Sequence, residues 1–204
     1  MRVIAGEFRS RRLIGPPPGV RPTSDRVREA IFSSLGSVDG KSVLDLYAGT
    51  GALGIEALSR GASRVVFVDI SRRSISVIRT NLEALGLVDR SSLVQGDAEA
   101  FVKCTLDGRE PFDLVFLDPP YGSEGLDRVL CGLSEATLLD SKAQVVVETS
   151  SRDTRGDIAG LRMRSERDYG DTRITRFDAS GPEAPGAAGP VRVTGGRGKD
   201  SDGQ

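Results

Sequence analysis

From residue 41 onwards, short apolar runs alternate regularly with longer segments of helical periodicity. The runs are nearly continuous in aliphatic residues, which is typical of strands that are covered on both faces of a parallel sheet. The predicted strands are 43–47, 65–70, 92–95, 114–117 and 145–148. The predicted helices fill the gaps at about 52–60, 72–85, 98–106 and 124–136. This order predicts an α/β fold with a mostly parallel sheet.

The polarity pattern changes after residue 160. Residues 161–167 and 173–177 alternate between apolar and polar side chains, and a turn-forming segment at 169–171 joins them. We therefore expect an antiparallel C-terminal hairpin at the edge of what becomes a seven-stranded sheet. Beyond it, residues 179–204 contain seven glycines and three prolines but almost no large apolar side chain. That composition cannot bury enough surface to fold, so we expect a disordered Gly/Pro-rich tail.

Residues 1–40 predict an N-terminal extension in front of the domain formed by residues 41–178. Two short apolar stretches within residues 3–14 predict a small β-hairpin, and the Pro-Pro-Pro-Gly segment after it predicts a rigid linker. A helix is expected to follow Ser24, whose side chain suits an N-cap, and to end before Gly36.

Charge is distributed unevenly along the chain. The net charge is −1, yet residues 1–28 carry seven arginines and only two acidic side chains. A basic segment in front of an acidic body favours a polyanionic partner, although a solvated basic surface without a partner explains the charge equally well. The candidate contacts to a polyanion are Arg2, Arg9, Arg11, Arg12, Arg21 and Arg26.

Composition excludes several classes of protein. No apolar run approaches the roughly 20 residues that span a bilayer, and the basic N-terminus lacks the apolar segment of a secretory signal. The two cysteines, Cys104 and Cys131, form neither a zinc motif nor a disulfide framework. The chain has no histidine, which is the commonest metal ligand and general base. We expect a cytoplasmic, monomeric protein that contacts no membrane and needs no metal.

A glycine-rich loop follows the first predicted strand. The spacing of Gly49, Gly51 and Gly54 matches the dinucleotide-binding fingerprint. Asp45 at the end of the strand argues against that ligand, because its carboxylate would repel a pyrophosphate. The same carboxylate favours a ligand with an ammonium group, such as the methionine end of S-adenosylmethionine. The glycines would let the backbone approach this ligand closely, because they have no Cβ.

Acidic residues also end the next two predicted strands. Asp69 is placed to accept hydrogen bonds from ribose hydroxyls, and Asp97 to accept one from an adenine amino group. Each could instead merely cap the helix that follows it, an alternative that applies best to Asp97. The full set of predicted cofactor contacts is Asp45, Ala48, Gly49, Thr50, Gly51, Asp69, Ile70, Asp97 and Ala98.

The tetrapeptide Asp118-Pro119-Pro120-Tyr121 follows the fourth predicted strand. As structure alone, it is a sharp exit from a strand. As chemistry, the Asp118 carboxylate and the Pro119 carbonyl can each accept one N–H of an exocyclic base amine, which aims the nitrogen lone pair at a methyl donor. The two prolines would hold the carbonyl rigidly, and Tyr121 could stack on the base. A base inside a helix is out of reach, so extrusion into the pocket is expected.

Together these segments resemble the class I S-adenosylmethionine-dependent methyltransferases. More closely, residues 2–178 resemble the bacterial small-subunit ribosomal RNA guanine-N2 methyltransferases, which modify a guanine of 16S rRNA. The narrower marker is Arg21-Pro22-Thr23, followed by Asp25-Arg26-Val27-Arg28-Glu29 and Phe32. The rest of the resemblance is carried by residues 2–6, 11–13, 45–62, 81–82 and 118–121.

The resemblance implies a Rossmann-like fold with S-adenosylmethionine as the cofactor and S-adenosylhomocysteine as the product. It implies methylation of the exocyclic N2 amine of a guanine. It further implies that the arginine-rich extension grips RNA, and that the substrate is 16S rRNA within the 30S subunit or a late assembly intermediate. Asp69 departs from the family pattern, because the family often has Glu at this position.

Three rival functions share parts of this pattern. A DNA amino-methyltransferase acting on adenine N6 or cytosine N4 can carry the same tetrapeptide, but such enzymes usually have a separate target-recognition domain. A protein glutamine methyltransferase generally begins the tetrapeptide with Asn, whereas this chain has Asp118. A catalytically silent RNA-binding assembly factor would keep the fold but would have no need of Asp45, Asp69 and Asp118.

Overall fold

The computed structural model describes residues 1–16, 23–104, 110–120, 125–135, 138–153 and 158–179. Several sequence predictions lie outside these ranges: most of the proline-rich linker, Arg21, Tyr121, the ends of the helices predicted at 98–106 and 124–136, and residues 180–204 of the tail. Ala179, the first residue of the predicted tail, is instead the last residue of a strand.

Seven strands in the described part of the chain form one sheet. They are β1 (Ser42–Leu46), β2 (Arg64–Asp69), β3 (Ser91–Gln95), β4 (Phe112–Leu117), β5 (Leu139–Ser150), β6 (Leu161–Tyr169) and β7 (Thr172–Ala179). Their order across the sheet is β3-β2-β1-β4-β5-β7-β6. Strands β1 to β5 pair in parallel, and β7 is antiparallel to both β5 and β6. The predicted mostly parallel sheet with an antiparallel C-terminal hairpin is confirmed.

Five α-helices accompany the sheet within the described ranges, and a short 3-10 helix covers Val88–Arg90. The α-helices are α1 (Asp25–Leu35), α2 (Ala52–Ser59), α3 (Arg72–Leu85), α4 (Ala98–Lys103) and α5 (Leu126–Glu135). The ends of α1 are as predicted, because the Ser24 side chain accepts a hydrogen bond from the Val27 N–H and Gly36 has a positive φ of 75°. None of the helices in these ranges combines the length and the apolar character that crossing a membrane requires.

The side chains of the sheet alternate between two hydrophobic layers. One face packs Phe67 and Phe116 against α1, α2 and α3. The other face packs Leu46 and Leu117 against α4 and α5. Burial on both faces explains why these strands appear in the sequence as continuous apolar runs.

Strand β5 is much longer than its apolar run indicates. It has 12 residues, Leu139–Ser150, whereas the sequence predicts only 145–148. Residues 141 and 142 are exposed, and exposed polar residues leave no hydrophobic period to detect. They lie where the register between β4 and β5 shifts, between the pairs Phe112–Leu139 and Leu114–Gln144. Pairing with β7 begins only at Gln144.

The start of the N-terminal extension is held against α2. Glu56, fully buried in α2, accepts hydrogen bonds from the Ile4 N–H at 2.7 Å and from the Ala5 N–H at 3.0 Å. Gly6 comes so close that a Cβ on it would lie 1.8 Å from the Ser59 carbonyl oxygen, and its φ is +82°. Glycine is therefore required at this position for the segment to dock.

The predicted N-terminal hairpin is present as a short antiparallel pairing around an isolated bridge between Arg2 and Arg12. The Val3 N–H donates to the Arg11 carbonyl at 3.0 Å, and the Leu13 N–H donates to the Met1 carbonyl at 3.1 Å. Val3 and Leu13, the apolar residues behind that prediction, are buried in the same hydrophobic layer as α1, α2 and α3. The Asn81 side chain of α3 accepts the Ile14 N–H at 2.8 Å and donates to the Ile14 carbonyl at 3.2 Å. The extension and the domain therefore share one core.

Candidate active site

The carboxyl ends of β1, β2 and β4 open into a cavity of about 750 Å³. Strand pairing places these ends level, because Leu46 lies opposite Val68 in β2 and Leu117 in β4. The residues that follow each strand therefore reach the same edge of the sheet, where open α/β folds bind ligands. The volume falls within the range of about 300–1,000 Å³ that small-molecule sites occupy.

This cavity brings most of the predicted site residues together. Its walls include the predicted cofactor contacts Asp45, Ala48, Gly49, Thr50, Asp69, Ile70, Asp97 and Ala98. They also include the predicted catalytic residues Asp118, Pro119 and Pro120. Gly51 is not on the walls, and Tyr121 lies outside the described residues.

The loop after β1 has a tightly curved backbone. Tyr47, Gly49 and Gly51 have positive φ angles of 59°, 57° and 77°. This conformation is uncommon for a residue with a Cβ such as Tyr47, and backbone strain of this kind concentrates at ligand sites. The loop is closed by the Gly51 N–H, which donates to the Ala48 carbonyl at 2.7 Å.

Asp45 lies beneath this loop and closes the N-terminus of α2. Its side chain is buried, and Oδ2 accepts a hydrogen bond from the Gly54 N–H at 2.9 Å. In dinucleotide-binding folds, a pyrophosphate uses the free N–H groups at this end of the helix. Here a carboxylate already uses one of them, which favours a cationic ligand over a pyrophosphate.

Two of the three loop glycines are needed for packing. A Cβ on Gly54 would lie 2.3 Å from Cε1 of Phe67, and a Cβ on Gly51 would lie 3.2 Å from the Ile78 side chain. Glycine at position 54 therefore lets α2 approach β2 closely enough for its N–H to reach Asp45. For Gly51, the structure gives a role in packing rather than contact with the cavity.

Asp69 at the end of β2 connects two loops. Its Oδ2 accepts the Gly49 N–H at 2.8 Å, and its Oδ1 accepts the Ser71 N–H at 2.8 Å. Each carboxylate oxygen has a second lone pair, so Asp69 can hold the glycine loop and still accept hydrogen bonds from a ligand. The ribose contact stays a prediction.

Asp97, the acidic residue after β3, caps a helix, which is the alternative role that the sequence analysis gave for it. Oδ1 of Asp97 accepts the Ala100 N–H at 2.9 Å and caps α4. The Asp97 side chain is exposed on the cavity wall, so capping is compatible with a contact to an adenine amino group. Ile70 is 71% exposed on the same wall, as suits a side chain that covers the face of a flat base.

Asp118 is tied to two residues far away in the sequence. Its Oδ2 accepts a hydrogen bond from Oγ1 of Thr23 at 2.9 Å. The same hydroxyl lies 3.0 Å from Oε2 of Glu148. Thr23 precedes α1, and Glu148 belongs to β5, where the preceding Val147 pairs with Leu117 of β4. Strand pairing therefore places Glu148 level with Asp118.

Thr23 and Glu148 are site residues that the sequence analysis missed. An available signal was that Glu148 ends a predicted central strand, as Asp69 and Asp97 do. One hydroxyl carries one hydrogen, so Thr23 can donate to only one of two ionised carboxylates. Both contacts are hydrogen bonds when one of the two carboxyl groups is protonated and donates to the threonine oxygen.

Burial and mutual repulsion set the charge of the site. Burial raises the pKa of Asp45 well above its usual value; the Gly54 hydrogen bond opposes this, and the charges of Asp118 and Asp69 add to it. Burial also raises the pKa of Asp118 to about 6, although the hydrogen bond from Thr23 lowers it. Carboxylates that repel one another across a cavity favour a cationic ligand.

The arginines predicted to grip RNA are at the surface wherever the structure describes them. The exposed members are Arg2, Arg9, Arg11, Arg12 and Arg26. Arg2 also lies 3.4 Å from the carboxylate of Asp25. Arg28, which contributes to the basic count of this segment, is fully buried and donates to the Arg2 carbonyl at 2.8 Å.

The residues of the cavity fit S-adenosylmethionine. Asp45 offers a buried carboxylate for an ammonium group beside a backbone loop of glycines. Asp69 and Ile70 lie where open α/β folds bind a ribose and its base. Within the described ranges, no group of three or more His, Cys, Asp or Glu side chains is placed to hold a metal ion.

Known sequences are similar to this chain over most of its length. The family described as Conserved hypothetical protein 95 matches residues 1–178. A Bacillus subtilis protein named "Putative rRNA methyltransferase YlbH" is 35% identical over 187 residues, which cover 89% of this chain and 100% of that protein. The Escherichia coli protein named "Ribosomal RNA small subunit methyltransferase D" is 35% identical over 151 residues, which cover 73% of this chain and 74% of that protein.

Solved structures share the fold. The Escherichia coli structure named "Putative methyltransferase yhhF" is similar with a TM-score of 0.77 at 30% identity, over 89% of this chain and 99% of that chain. A Streptococcus mutans structure named "A putative sam-dependent methyltransferase" has a TM-score of 0.63 at 18% identity, over 76% of this chain and 48% of that chain. At this identity the similarity shows the fold alone. The chain therefore belongs to the family described as Conserved hypothetical protein 95, together with the ribosomal RNA small subunit methyltransferases D.

Proposed function

We propose that the protein transfers a methyl group from S-adenosylmethionine to the exocyclic N2 amine of a guanine in 16S rRNA, within the 30S subunit or a late assembly intermediate. The observation that carries the proposal is that Asp118 and Pro119 line the same cavity as Asp45 and Asp69. Acceptors for an amine thus share a cavity with a site suited to a cationic methyl donor. The names of the relatives support rRNA as the substrate.

The cofactor would be held along the carboxyl edge of β1, β2 and β3. Asp45 would bind its ammonium group, Asp69 its ribose hydroxyls, and Asp97 its adenine amino group. Ile70 would cover the face of the adenine, and Gly49 would allow close approach of the backbone. When bound, the cofactor supplies an electrophilic methyl group on a sulfonium, and S-adenosylhomocysteine is the product.

Asp118 and the Pro119 carbonyl would prepare the amine for attack. The lone pair of an exocyclic base amine is delocalised into the ring, so the nitrogen is a weak nucleophile. Two acceptors that each take one N–H direct the lone pair towards the methyl carbon. As the N–C bond forms and the S–C bond breaks, positive charge develops on nitrogen and these acceptors stabilise it. The nitrogen then loses one proton. The Asp118 carboxylate, with a pKa of about 6, is suited to receive and release it at neutral pH.

Thr23 and Glu148 would act through Asp118 as positioning residues. The hydrogen bond from Thr23 lowers the pKa of Asp118 and so favours the ionised carboxylate that accepts an N–H. With Oδ2 fixed by the Thr23 hydroxyl at 2.9 Å, we assign Oδ1 to the substrate amine. Glu148 holds the same hydroxyl from the other side, at 3.0 Å.

The N-terminal extension would bind RNA beside the cavity. Its members Met1, Pro16 and Thr23 line the cavity wall, so the extension adjoins the reacting atoms. The arginines proposed to contact RNA phosphates are Arg2, Arg9, Arg11, Arg12, Arg21 and Arg26. Phosphate contacts position a protein without reading sequence, and we therefore expect the target guanine to be selected by the shape of the ribosomal RNA.

Transfer of tritium-labelled methyl groups tests the proposal. Three substrates are offered side by side: 30S subunits from a strain that lacks the modification, naked 16S rRNA and duplex DNA. Nucleoside analysis identifies the labelled base, and Asp118→Asn serves as the inactive control. We expect N2-methylguanosine in the 30S or rRNA sample.

Other outcomes separate the rival functions. Label recovered from DNA alone would keep the fold and the cofactor but would overturn rRNA as the substrate, in favour of a DNA amino-methyltransferase. Binding to 30S subunits without any transfer of label, and with no effect of S-adenosylmethionine on that binding, would support a catalytically silent assembly factor.

A further inference from the structure

A second cavity, of about 230 Å³, lies between α1 and the hairpin of β6 and β7. Its walls carry Arg164, Arg167 and Arg176 but no acidic side chain from the described residues. We refer to this cavity as the arginine groove. No step of the proposed methyl transfer uses it, and its arginines are not among those of the N-terminal extension.

Arg176 is the buried member of the arginine groove. It is 8% exposed, and its Nη1 donates to the Ser34 carbonyl oxygen in α1. Its Nε has no hydrogen-bond partner within the described ranges. Buried donors are almost always paired in folded proteins, so an unpaired one on a cavity wall indicates a missing acceptor.

The charges of the groove arginines are only partly neutralised. Burial lowers the pKa of Arg176, and the positive charges of Arg164 and Arg167 add to this against the opposing charge of Asp178. Arg164 donates to Asp178 at 2.9 Å. In the part of the chain that the structure describes, Arg167 makes no ion pair. An anion bound between these arginines would relieve their repulsion.

Tyr169 joins the arginine groove to the catalytic cavity. This residue ends β6 and contributes to the walls of both. A chain molecule that places one unit in the catalytic cavity can therefore continue past Tyr169 into the arginine groove. Guanidinium groups match phosphate oxygens in geometry and form paired hydrogen bonds with them.

We propose that Arg164, Arg167 and Arg176 bind a phosphodiester of the RNA beside the nucleotide that enters the catalytic cavity. The proposal rests on the proposed function, because it takes RNA as the substrate. It adds a second phosphate-binding surface on the C-terminal hairpin. An acidic protein segment could meet the same charges, but the wall shared through Tyr169 favours the polyanion that is already in the catalytic cavity.

The Arg167→Ala variant tests this site, with Arg162→Ala as the matched control. Both residues are exposed in β6, and each substitution removes one positive charge. Arg162 is not on the groove wall and lies 3.7 Å from Asp178. Binding to 30S subunits that lack the modification is measured over a salt series. Thermal unfolding and S-adenosylmethionine affinity are measured for both variants and are expected to match the wild type.

We expect Arg167→Ala to weaken binding to 30S subunits about tenfold, as for removal of one charged hydrogen bond. The slope of log affinity against log salt should become shallower by about 0.7–0.9, the value for one phosphate contact. In methyl transfer, KM for the 30S subunit should rise while kcat stays unchanged, because a remote contact binds ground state and transition state alike. Arg162→Ala should behave as the wild type.

Equal effects of Arg167→Ala and Arg162→Ala on affinity and on the salt slope would overturn the phosphate site. The phosphate site would also be overturned if Arg167→Ala lowered kcat and left KM for the 30S subunit unchanged. Failure of the proposed function is distinguishable, because it appears in the wild-type protein as the absence of methyl transfer to any ribosomal substrate.

Discussion

Oγ1 of Thr23 lies 2.9 Å from Oδ2 of Asp118 and joins the start of α1 to the end of β4. Burial raises the pKa of Asp118, and this hydrogen bond opposes the rise. A residue of the N-terminal extension thus adjusts the charge of the proposed catalytic carboxylate. The extension belongs to the candidate active site in addition to its proposed role in holding RNA.

Thr23→Val should shift the pH dependence of methyl transfer. Removal of the hydroxyl eliminates the hydrogen bond that lowers the pKa of Asp118. We expect the wild-type inflection of kcat/KM near pH 6, and in this variant it should move upward. Activity at pH 7 should fall several-fold and recover at higher pH. Thr23→Ser keeps the hydroxyl and should retain the wild-type profile. An equal decrease at every pH would contradict the assigned role.

Asp118→Asn should abolish methyl transfer and leave cofactor binding largely intact, because the carboxylate is proposed to act on the substrate amine. An amide offers one acceptor oxygen and no charge to stabilise the developing cation. Calorimetric titration with S-adenosylhomocysteine and the tritium assay measure the two properties separately. Loss of cofactor binding in this variant would refute the division of roles between Asp118 and Asp45.

The same variant should be more stable than the wild type at neutral pH. Because the pKa of Asp118 is raised from 3.8 to about 6 in the folded state, the folded protein holds a proton that the unfolded chain releases. The wild-type free energy of unfolding therefore falls as pH rises through this window. The gain in Tm from Asp118→Asn should be largest above pH 6 and should vanish below about pH 4. A gain that does not vary with pH would exclude this carboxyl as its source.

Asp45→Asn should weaken cofactor binding while keeping the loop intact. The amide oxygen can still accept the Gly54 N–H, which Asp45 now binds at 2.9 Å, but the negative charge that favours an ammonium group is gone. The pKa of Asp45 is raised well above its usual value by burial, so this variant should also gain stability at neutral pH. Unchanged affinity for S-adenosylmethionine in a calorimetric titration would show that Asp45 only accepts the Gly54 N–H of α2 and does not bind the cofactor.

Gly6→Ala should detach the N-terminal extension from α2. A Cβ would lie 1.8 Å from the Ser59 carbonyl oxygen, and φ at this position is +82°. Gly40→Ala is the matched control, since Gly40 has a φ of +72° and open space around its missing Cβ. The control should be destabilised by about 1–2 kcal/mol from backbone strain alone, and Gly6→Ala should be destabilised clearly more in denaturant unfolding. Equal destabilisation would mean that docking does not depend on this close approach.

Replacing Arg9, Arg11 and Arg12 by alanine should weaken 30S binding and flatten its salt dependence. All three are exposed, and removing one phosphate contact should reduce the salt slope by about 0.7–0.9. Replacing the exposed basic residues Arg72, Arg79 and Lys142 by alanine controls for net charge. A salt slope that responds equally in both triple variants would show a general charge effect and no specific surface.

Most of the fold was predictable because its signals are local. Ser24 and Gly36 delimit α1 by capping chemistry that acts within a few residues, and buried parallel strands produce continuous apolar runs. The polar start of β5 was not predictable, because its exposed residues have no hydrophobic period and lie where the register with β4 shifts. The N-terminal hairpin was predicted from Val3 and Leu13, whose apolar side chains pack in the core, and the structure has it as a short antiparallel pairing around Arg2 and Arg12.

The candidate site divides in the same way. Asp45, Asp69 and Asp118 were identified from sequence because each lies within one residue of the carboxyl end of a strand. The carboxyl ends of parallel strands meet at one edge of the sheet. Local sequence pattern does not predict that the Thr23 hydroxyl lies between Asp118 and Glu148. Nor does it predict that Arg167 and Arg176 form a groove with α1. By itself, the sequence determined the order of strands and helices, the glycine loop and the chemistry at each strand end, because these depend on neighbouring residues. Only the tertiary structure decided which distant side chains share a proton or a groove, because such contacts depend on the packing of whole elements.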